Sequence, residues 1–393
     1  MGRFNPKAFG QPDLLKTIAP GILLRILRPC QEFLTAAGLP LPESEDAEID
    51  YLQLASILAN PDERMNSNVV EGLHVITSLG TEDNFDELLD IARRNFVEVD
   101  VQATAADLAA RIWAEAPEAL ELKDRAQMVQ RRRKFESFRA RVPETVLSLD
   151  DLPPQLDKLE EDLGGSFQSM KRSAACRVVR SDVEGEARFL IQHGQTCKRT
   201  PSLEGTRSTC TFFRPERTDS VVYVPAQNEL RINASRLAEL RLYRAKFGLH
   251  LFGDAEYFVY AEKYTLRPLQ QRGQASLFCR DIGGMEAVWL NDIEYAWPGE
   301  DHDARHRSND VFHALAIQSR RIEPGAVIKK AVFSVRMQGE TKLRSVLIRP
   351  RNIAEYGRGE EAAIIESWLR ARGFVVVGAA ADDERPGPFL AVA

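Results

Sequence analysis

The chain has 393 residues, of which 44% are hydrophobic and 28% are charged, a composition typical of a globular protein with two or three domains. Its longest apolar run, which follows Phe374, is too short to cross a bilayer, and residues 1–7 lack the apolar core of a signal peptide. We therefore expect a cytoplasmic protein without a membrane partner. The five cysteines are odd in number and widely spaced, which argues against a disulfide framework and against a zinc site built from thiolates.

Charge is strongly segregated along the chain, although the formal net charge is only −6. Residues 41–124 carry twenty acids and five bases, whereas residues 125–141 carry seven bases and one acid. Residues 320–372 are again basic, with twelve bases and six acids. Segregated charge says little about a fold but indicates partners, because one region attracts anions and the other repels them.

The first third of the sequence predicts helices, because apolar residues recur there at helical spacing. Gly80 has the position of a helix stop, and Thr104 has that of an N-cap. Pro117 suits the first turn of a long helix, which we expect to continue to about Arg141. The prediction is an acidic helical domain over residues 1–142 that ends in a basic helix.

Residues 143–165 contain clustered prolines and glycines, which predict a linker holding one short helix. Short β-type runs follow, and the clearest is a hairpin of two strands at 332–337 and 342–348. We expect residues 166–393 to form a basic domain of this kind. The predicted fold class is α+β, with a helical N-terminal domain followed by a mixed α/β C-terminal domain with antiparallel hairpins.

Two groups of basic residues are candidate nucleic-acid-binding sites. Seven-residue spacing would place Arg125, Arg132 and Arg139 on one side of a helix, where a row of guanidinium groups can follow a phosphate backbone. The same row could instead be a solvated face or a partner for the preceding acidic helices. The C-terminal hairpin presents the second group, although edge strands also use bases to prevent aggregation. The candidate residues are Arg125, Arg131, Arg132, Arg133, Lys134, Arg139, Arg336, Lys342, Arg344, Arg349 and Arg351.

A third basic region, residues 171–217, has ten bases and five acids. Lys198, Arg199 and Arg207 fall in a stretch that we expect to be a polar loop. Loops of this composition often become ordered only when they bind a partner.

Residue types that bind metals occur together at Asp301, His302, His306 and Asp310. The four-residue spacing of the two histidines would suit a helix, but the flanking Pro298 predicts a loop. The sequence also lacks the phosphate-loop, dinucleotide-binding and nucleophile-elbow motifs. We therefore expect no metal, no cofactor and no catalytic residue from motifs, while dispersed residues could still form an active site.

Two short segments resemble uncharacterised bacterial proteins encoded in mobile, defence-type loci. The first is the opening Phe4, Asn5, Pro6, Lys7, Ala8 and Phe9, and the second is residues 264–269. The resemblance implies a role in bacterial antiviral defence, and it implies no fold, activity or site residue.

The first functional hypothesis is a non-enzymatic component of a multi-protein assembly that associates with nucleic acid, either DNA or RNA. Its basic regions would hold phosphates, and its acidic helical domain would face a protein partner. One alternative is a protein-binding adaptor that does not bind nucleic acid. Another is a metal-dependent hydrolase that uses Asp301, His302, His306 and Asp310.

Overall fold

A computed structural model describes residues 10–376, except for 45–47, 63, 101, 131, 154–155, 184, 261, 298–301, 324 and 360, and except for the side chains of 129, 130 and 204. The chain divides into a first unit, Met1–Gln127, and a second unit, Met128–Ala393. None of the described helices has both the length and the apolar character that crossing a bilayer requires.

The described part of the first unit is helical, and its helices enclose one apolar core. Thr104 is the N-cap that the sequence predicts, because its Oγ1 accepts a hydrogen bond from the Asp107 N–H at 3.1 Å. Gly80 caps the C-terminus of a helix, as expected, and donates its N–H to the Ile76 carbonyl. The helices are α1 (Pro12–Lys16), α2 (Pro20–Leu27), α3 (Gln31–Ala36), α4 (Tyr51–Leu58), α5 (Ser67–Leu79), α6 (Phe85–Arg94), α7 (Ala105–Glu115) and α8 (Pro117–Gln130).

The second unit combines strands with helices, and every strand pairing in its described part is antiparallel. The strands are β1 (Lys134–Ala140), β2 (Cys176–Val183), β3 (Glu186–Gly194), β4 (Lys198–Glu204), β5 (Arg207–Phe213), β6 (Glu216–Val224), β7 (Glu229–Asn233), β8 (Phe258–Tyr260), β9 (Met285–Ala296), β10 (Asp303–Arg307), β11 (Val327–Met337), β12 (Leu343–Arg349) and β13 (Ile353–Glu355). The helices are α9 (Asp157–Ser169), α10 (Leu237–Phe252), α11 (Arg267–Arg272), α12 (Val311–Ile317) and α13 (Ala362–Ala371).

Among the described residues, eleven of these strands form one sheet in the order β10-β9-β11-β12-β13-β1-β7-β6-β3-β2, with β8 also paired to β1. One core lies where α9 and α10 cover the sheet near β1, and it includes Phe138. A second core lies against β9, β11 and β12, and it includes Trp368 from α13. Strands β4 and β5 form a separate two-stranded sheet.

The predicted basic helix is wrong, because α8 ends at Gln130 and residues 134–140 are strand β1. This strand lies inside the sheet, where β7 pairs with one edge and β13 and β8 pair with the other. Phe135 and Phe138 are three residues apart, so a strand places them on opposite faces, and both are buried. Pairing on both edges and burial on both faces override the local preference for helix.

The linker expected at 143–165 overlaps helix α9, which is part of the second unit. Leu159 and Leu163 are buried in the same core as Phe138, so this helix is packed against the sheet. The division of the chain places the start of the second unit at Met128, whereas the sequence predicts a boundary after residue 142.

The α+β fold class is confirmed, and so is the C-terminal hairpin. Strands β11 and β12 pair in antiparallel register, with Phe333 opposite Val346. Gly339 lies in the turn between them at φ +78°, a backbone conformation that glycine adopts without steric strain.

Candidate nucleic-acid interface

Arg125 and Arg344, which are both predicted nucleic-acid-binding residues, lie in ion pairs within their own units. Arg125 on α8 pairs with Glu121 one turn earlier, at 2.5 Å. Arg344 on β12 lies between two carboxylates, 2.7 Å from Glu340 and 2.6 Å from Glu361. A phosphate would have to compete with these carboxylates, so neither arginine presents an unopposed positive charge.

Two further arginines are directed at backbone carbonyls of the second unit. Arg132 Nη2 donates to the Thr218 carbonyl at 3.0 Å, and Arg139 Nη2 donates to the Val376 carbonyl at 2.8 Å. Arg131 lies outside the described residues. The helical row of Arg125, Arg132 and Arg139 does not form, because Arg125 is on a helix of the first unit and Arg139 is on a strand of the second.

The remaining predicted residues are distributed over the sheet. Arg336 on β11 pairs with Glu286 at 2.8 Å, and its guanidinium lies 5.2 Å from the centre of the Trp289 ring. The other five have exposed side chains but come from separate places at and around strands β1, β12 and β13. They are Arg133, Lys134, Lys342, Arg349 and Arg351. Their binding of nucleic acid stays a prediction.

The most distinctive exposed basic surface is the ribbon of β4 and β5, which we call the arm (residues 198–213). It continues the β3–β6 pair, in which Gly194 lies opposite Glu216, and the Gln195 N–H donates to the Pro215 carbonyl at 2.8 Å beyond that pair. Seven residues in each strand give the arm a length of about 23 Å. Gly205, at φ +60°, lies in the turn at its tip.

Both faces of the arm are accessible, and each carries one aromatic ring opposite one basic side chain. On one face Phe212, 65% exposed, lies opposite Arg199, and Leu203, 72% exposed, is close to the tip. On the other face Phe213, 46% exposed, lies opposite Lys198. Each face of the arm therefore exposes an aromatic ring beside a cation.

The arm, together with Arg214 at the end nearest the sheet, carries a net positive charge. Residues 198–214 contain four bases and the single acid Glu204. Arg214 at the base donates to the backbone carbonyls of Lys171 and Gln195, which ties the arm to the second unit. Lys198 and Arg199 are exposed and have no ion-pair partner among the described residues.

The sequence predicts the arm's bases but not its shape. Residues 198–207 read as a polar loop, whereas the structure places them in a strand and a turn. The signal that could have identified the ribbon is Gly205, with β-branched threonines on both sides of it. The exposure of two consecutive phenylalanines cannot be read from the sequence, because it depends on β5 having no covering layer in the described part of the chain.

The residues of the metal hypothesis do not gather into one site in the described part of the chain. His306 Nε2 and the Tyr295 hydroxyl form a hydrogen bond at 2.8 Å, and the His302 ring lies against Trp297. Asp310 caps α12, and Asp301 lies outside the described residues. The histidines flank and occupy strand β10, where four residues span about 13 Å, so the helical spacing that would bring them together does not apply.

Among the described residues, one group of side chains has the spacing of metal ligands, and it is buried: His193, Asp219 and Glu239. Asp219 accepts hydrogen bonds from His193 and Arg217, and Glu239 lies 2.7 Å from Arg172. Burial alone would raise the pKa of Asp219, but the hydrogen bond from His193 and the charge of Arg217 lower it. Two arginines already balance the two carboxylates, so the group fits a structural network better than a cation site.

A second buried network lies at β7. Glu229 accepts from Lys263 Nζ at 2.6 Å and from Arg231 Nε at 2.7 Å, and all three side chains are buried. Arg231 also pairs with Glu366 of α13 at 3.3 Å. Burial alone would raise the pKa of Glu229, but Lys263 and Arg231 lower it to about 2. Each carboxylate in this network is paired with a cation, and such pairing stabilises ionised groups inside a protein.

A scan of the chain against protein-family models and a search of curated proteins both found no match.

Proposed function

We propose that the protein is a non-enzymatic component of a larger assembly that associates with nucleic acid, and that the arm is its principal contact. The observation that carries the proposal is the combination of exposed bases and exposed aromatic rings on a ribbon open on both faces. The bases Lys198 and Arg199 have no ion-pair partner among the described residues. Such cations can neutralise phosphates and release their counterions, which is the main source of non-specific affinity for nucleic acid.

The buried networks support a non-enzymatic role. Asp219 and Glu229 are buried carboxylates whose pKa values are lowered, and perturbed titratable groups often mark active sites. In this chain their oxygens accept hydrogen bonds from neighbouring cationic or histidine side chains, which accounts for their pKa values without a substrate.

The first unit would supply the contact with a protein partner. Its segment 41–124 is strongly acidic, which disfavours binding to phosphates. Phe96, in the turn after α6, is 95% exposed at φ +56°, and Leu52 on α4 is 72% exposed. A basic partner with an apolar pocket for one of these side chains would match the charge of the first unit. A role in antiviral defence rests on the resemblance of residues 4–9 and 264–269 alone.

The proposal is tested by titrating the full chain against labelled DNA and RNA oligonucleotides at low salt. The arm variant carries Lys198→Ala, Arg199→Ala and Arg207→Ala. The control variant carries Arg28→Ala, Arg93→Ala and Arg94→Ala, which removes the same charge from exposed positions of the first unit. We expect the arm variant to bind at least about tenfold more weakly and the control to bind like the wild type. No binding by the wild type, or equal losses in both variants, would refute the proposal.

A further inference from the structure

We infer that the arm binds single-stranded nucleic acid by stacking unpaired bases on Phe212 and Phe213. The inference rests on the proposed function, because it specifies the form of nucleic acid that the same surface takes. It concerns the aromatic rings, whereas the general proposal depends on the charges.

The register of the arm places one cation beside each ring. Phe212 lies opposite Arg199, and Phe213 lies opposite Lys198. Directly opposed residues on antiparallel strands have their Cβ atoms about 4.5–5.5 Å apart and share a face. Each face of the arm therefore offers one ring for a base and one neighbouring cation for a phosphate.

The two rings are exposed enough to stack on a nucleic-acid base. Phe213 is 46% exposed and Phe212 is 65% exposed. Every base has a π-face, so an exposed ring can stack on any base, at a gain of about 1–3 kcal/mol per base. Rings that stack on bases, placed beside cations that hold the backbone, are characteristic of proteins that bind single strands without sequence preference.

A duplex fits these rings less well. Its bases are already stacked on one another, so a phenylalanine reaches a base face only by wedging between neighbours at a cost of a few kcal/mol. An unpaired strand presents its base faces without this cost.

Pairing of the arm with a second copy of itself is also less favourable than binding of a single strand. Pairing two arms would cover their apolar side chains, but it would bring two sets of bases together around only one acid from each arm, Glu204. Like charges placed close together oppose association. The charge of the arm is instead complementary to that of a phosphate backbone.

The test compares four forms of the full chain: the wild type, a variant with Phe212→Ala and Phe213→Ala, a variant with Phe212→Leu and Phe213→Leu, and a variant with Phe212→Trp. The leucine variant keeps apolar side chains on the ribbon, so it separates loss of stacking from loss of the arm's fold. The probes are labelled oligothymidylate of about 16 nucleotides, a blunt duplex of similar length, and an abasic strand with the same number of phosphates.

We expect wild type to prefer the oligothymidylate to both other probes. Loss of both rings to alanine or leucine should weaken that binding by at least about 5- to 150-fold, the range for one stacked base, and Phe212→Trp should retain it. On the abasic strand the leucine variant should bind like wild type, because that probe has no bases to stack.

Three results would overturn the inference. Binding of the duplex as tightly as the single strand would point to a groove, and an unchanged affinity in the leucine variant would remove the rings from the site. In both cases salt-dependent binding by wild type would leave the proposed function standing. No salt-dependent binding by wild type to any probe would refute both.

Discussion

Arg199 on β4 and Phe212 on β5 lie directly opposite each other, and both side chains are exposed. Lys198 and Phe213 repeat this relationship on the other face of the ribbon. Because register and alternation fix these pairs, each face of the arm holds an exposed cation beside an exposed aromatic ring. The exposure of both residues in each pair, rather than the total charge of the chain, distinguishes the arm from the other basic segments.

Two adjacent glycines of α9 should respond in opposite ways to alanine. A Cβ on Gly164 would lie 2.3 Å from the Ala174 carbonyl oxygen, so Gly164→Ala should destabilise the second unit by about 1–3 kcal/mol. A Cβ on Gly165 would meet no atom within 4 Å, so Gly165→Ala should stabilise the helix by about 0.5–1 kcal/mol. Denaturant unfolding followed by tryptophan fluorescence measures both, and effects of the same sign would contradict the packing of α9.

Glu229→Gln should be strongly destabilising. The substitution leaves the buried Lys263 and Arg231 without their shared carboxylate, and breaking such a pair costs about 3–5 kcal/mol. Glu340→Gln is the matched control, because Glu340 is partly exposed and its partner Arg344 also pairs with Glu361. The control should change the free energy of unfolding by less than about 1 kcal/mol. Similar losses in the two variants would mean that the Glu229 network contributes little.

The same network predicts a dependence of stability on pH. In the folded chain Lys263 and Arg231 lower the pKa of Glu229 to about 2, from an ordinary value of 4.5. The ionised form is therefore favoured by folding, so its contribution is complete above pH 4.5 and declines as the pH falls towards about 2. Urea unfolding over this range should show a steeper loss of stability in wild type than in Glu229→Gln. Equal slopes would contradict the lowered pKa.

Phe96→Asn should stabilise the first unit. Phe96 has φ +56°, a conformation that asparagine tolerates better than phenylalanine, and its side chain is almost fully exposed. We expect the free energy of unfolding to rise by up to about 1 kcal/mol. Leu52→Asn removes an exposed apolar side chain from helix α4, where no such strain exists, and should not stabilise. A loss of stability in Phe96→Asn would show that the ring makes contacts that stabilise the fold.

Local signals were sufficient for the features that depend on neighbouring residues. The Thr104 cap, the stop at Gly80 and the hairpin of β11 and β12 are set by short-range chemistry, and the sequence predicts each of them. Strand β1 depends on distant partners, since β7 and β13 pair with its two edges. The spacing of Phe135 and Phe138 fits a helix as well as a strand, so only those partners decide.

The candidate site was predictable in its charge and not in its form. Lys198, Arg199 and Arg207 stand out in the sequence as a basic stretch, but the ribbon that displays them depends on the pairing of β4 with β5. Conversely, Arg125 and Arg344 belong to basic segments that suggest a phosphate site, but both lie in ion pairs with nearby carboxylates. Net charge over a segment does not show which cations are already paired.

The salt dependence of single-strand binding tests the central claim most directly. Each phosphate contact on a single strand contributes a slope of about −0.7 to the logarithm of the affinity against the logarithm of the salt concentration. Removing Lys198, Arg199 and Arg207 together should reduce the magnitude of the slope by about 2, whereas the Arg28, Arg93 and Arg94 control should leave it unchanged. A slope that is the same in the arm variant and in wild type would contradict the assignment of the arm as the nucleic-acid contact.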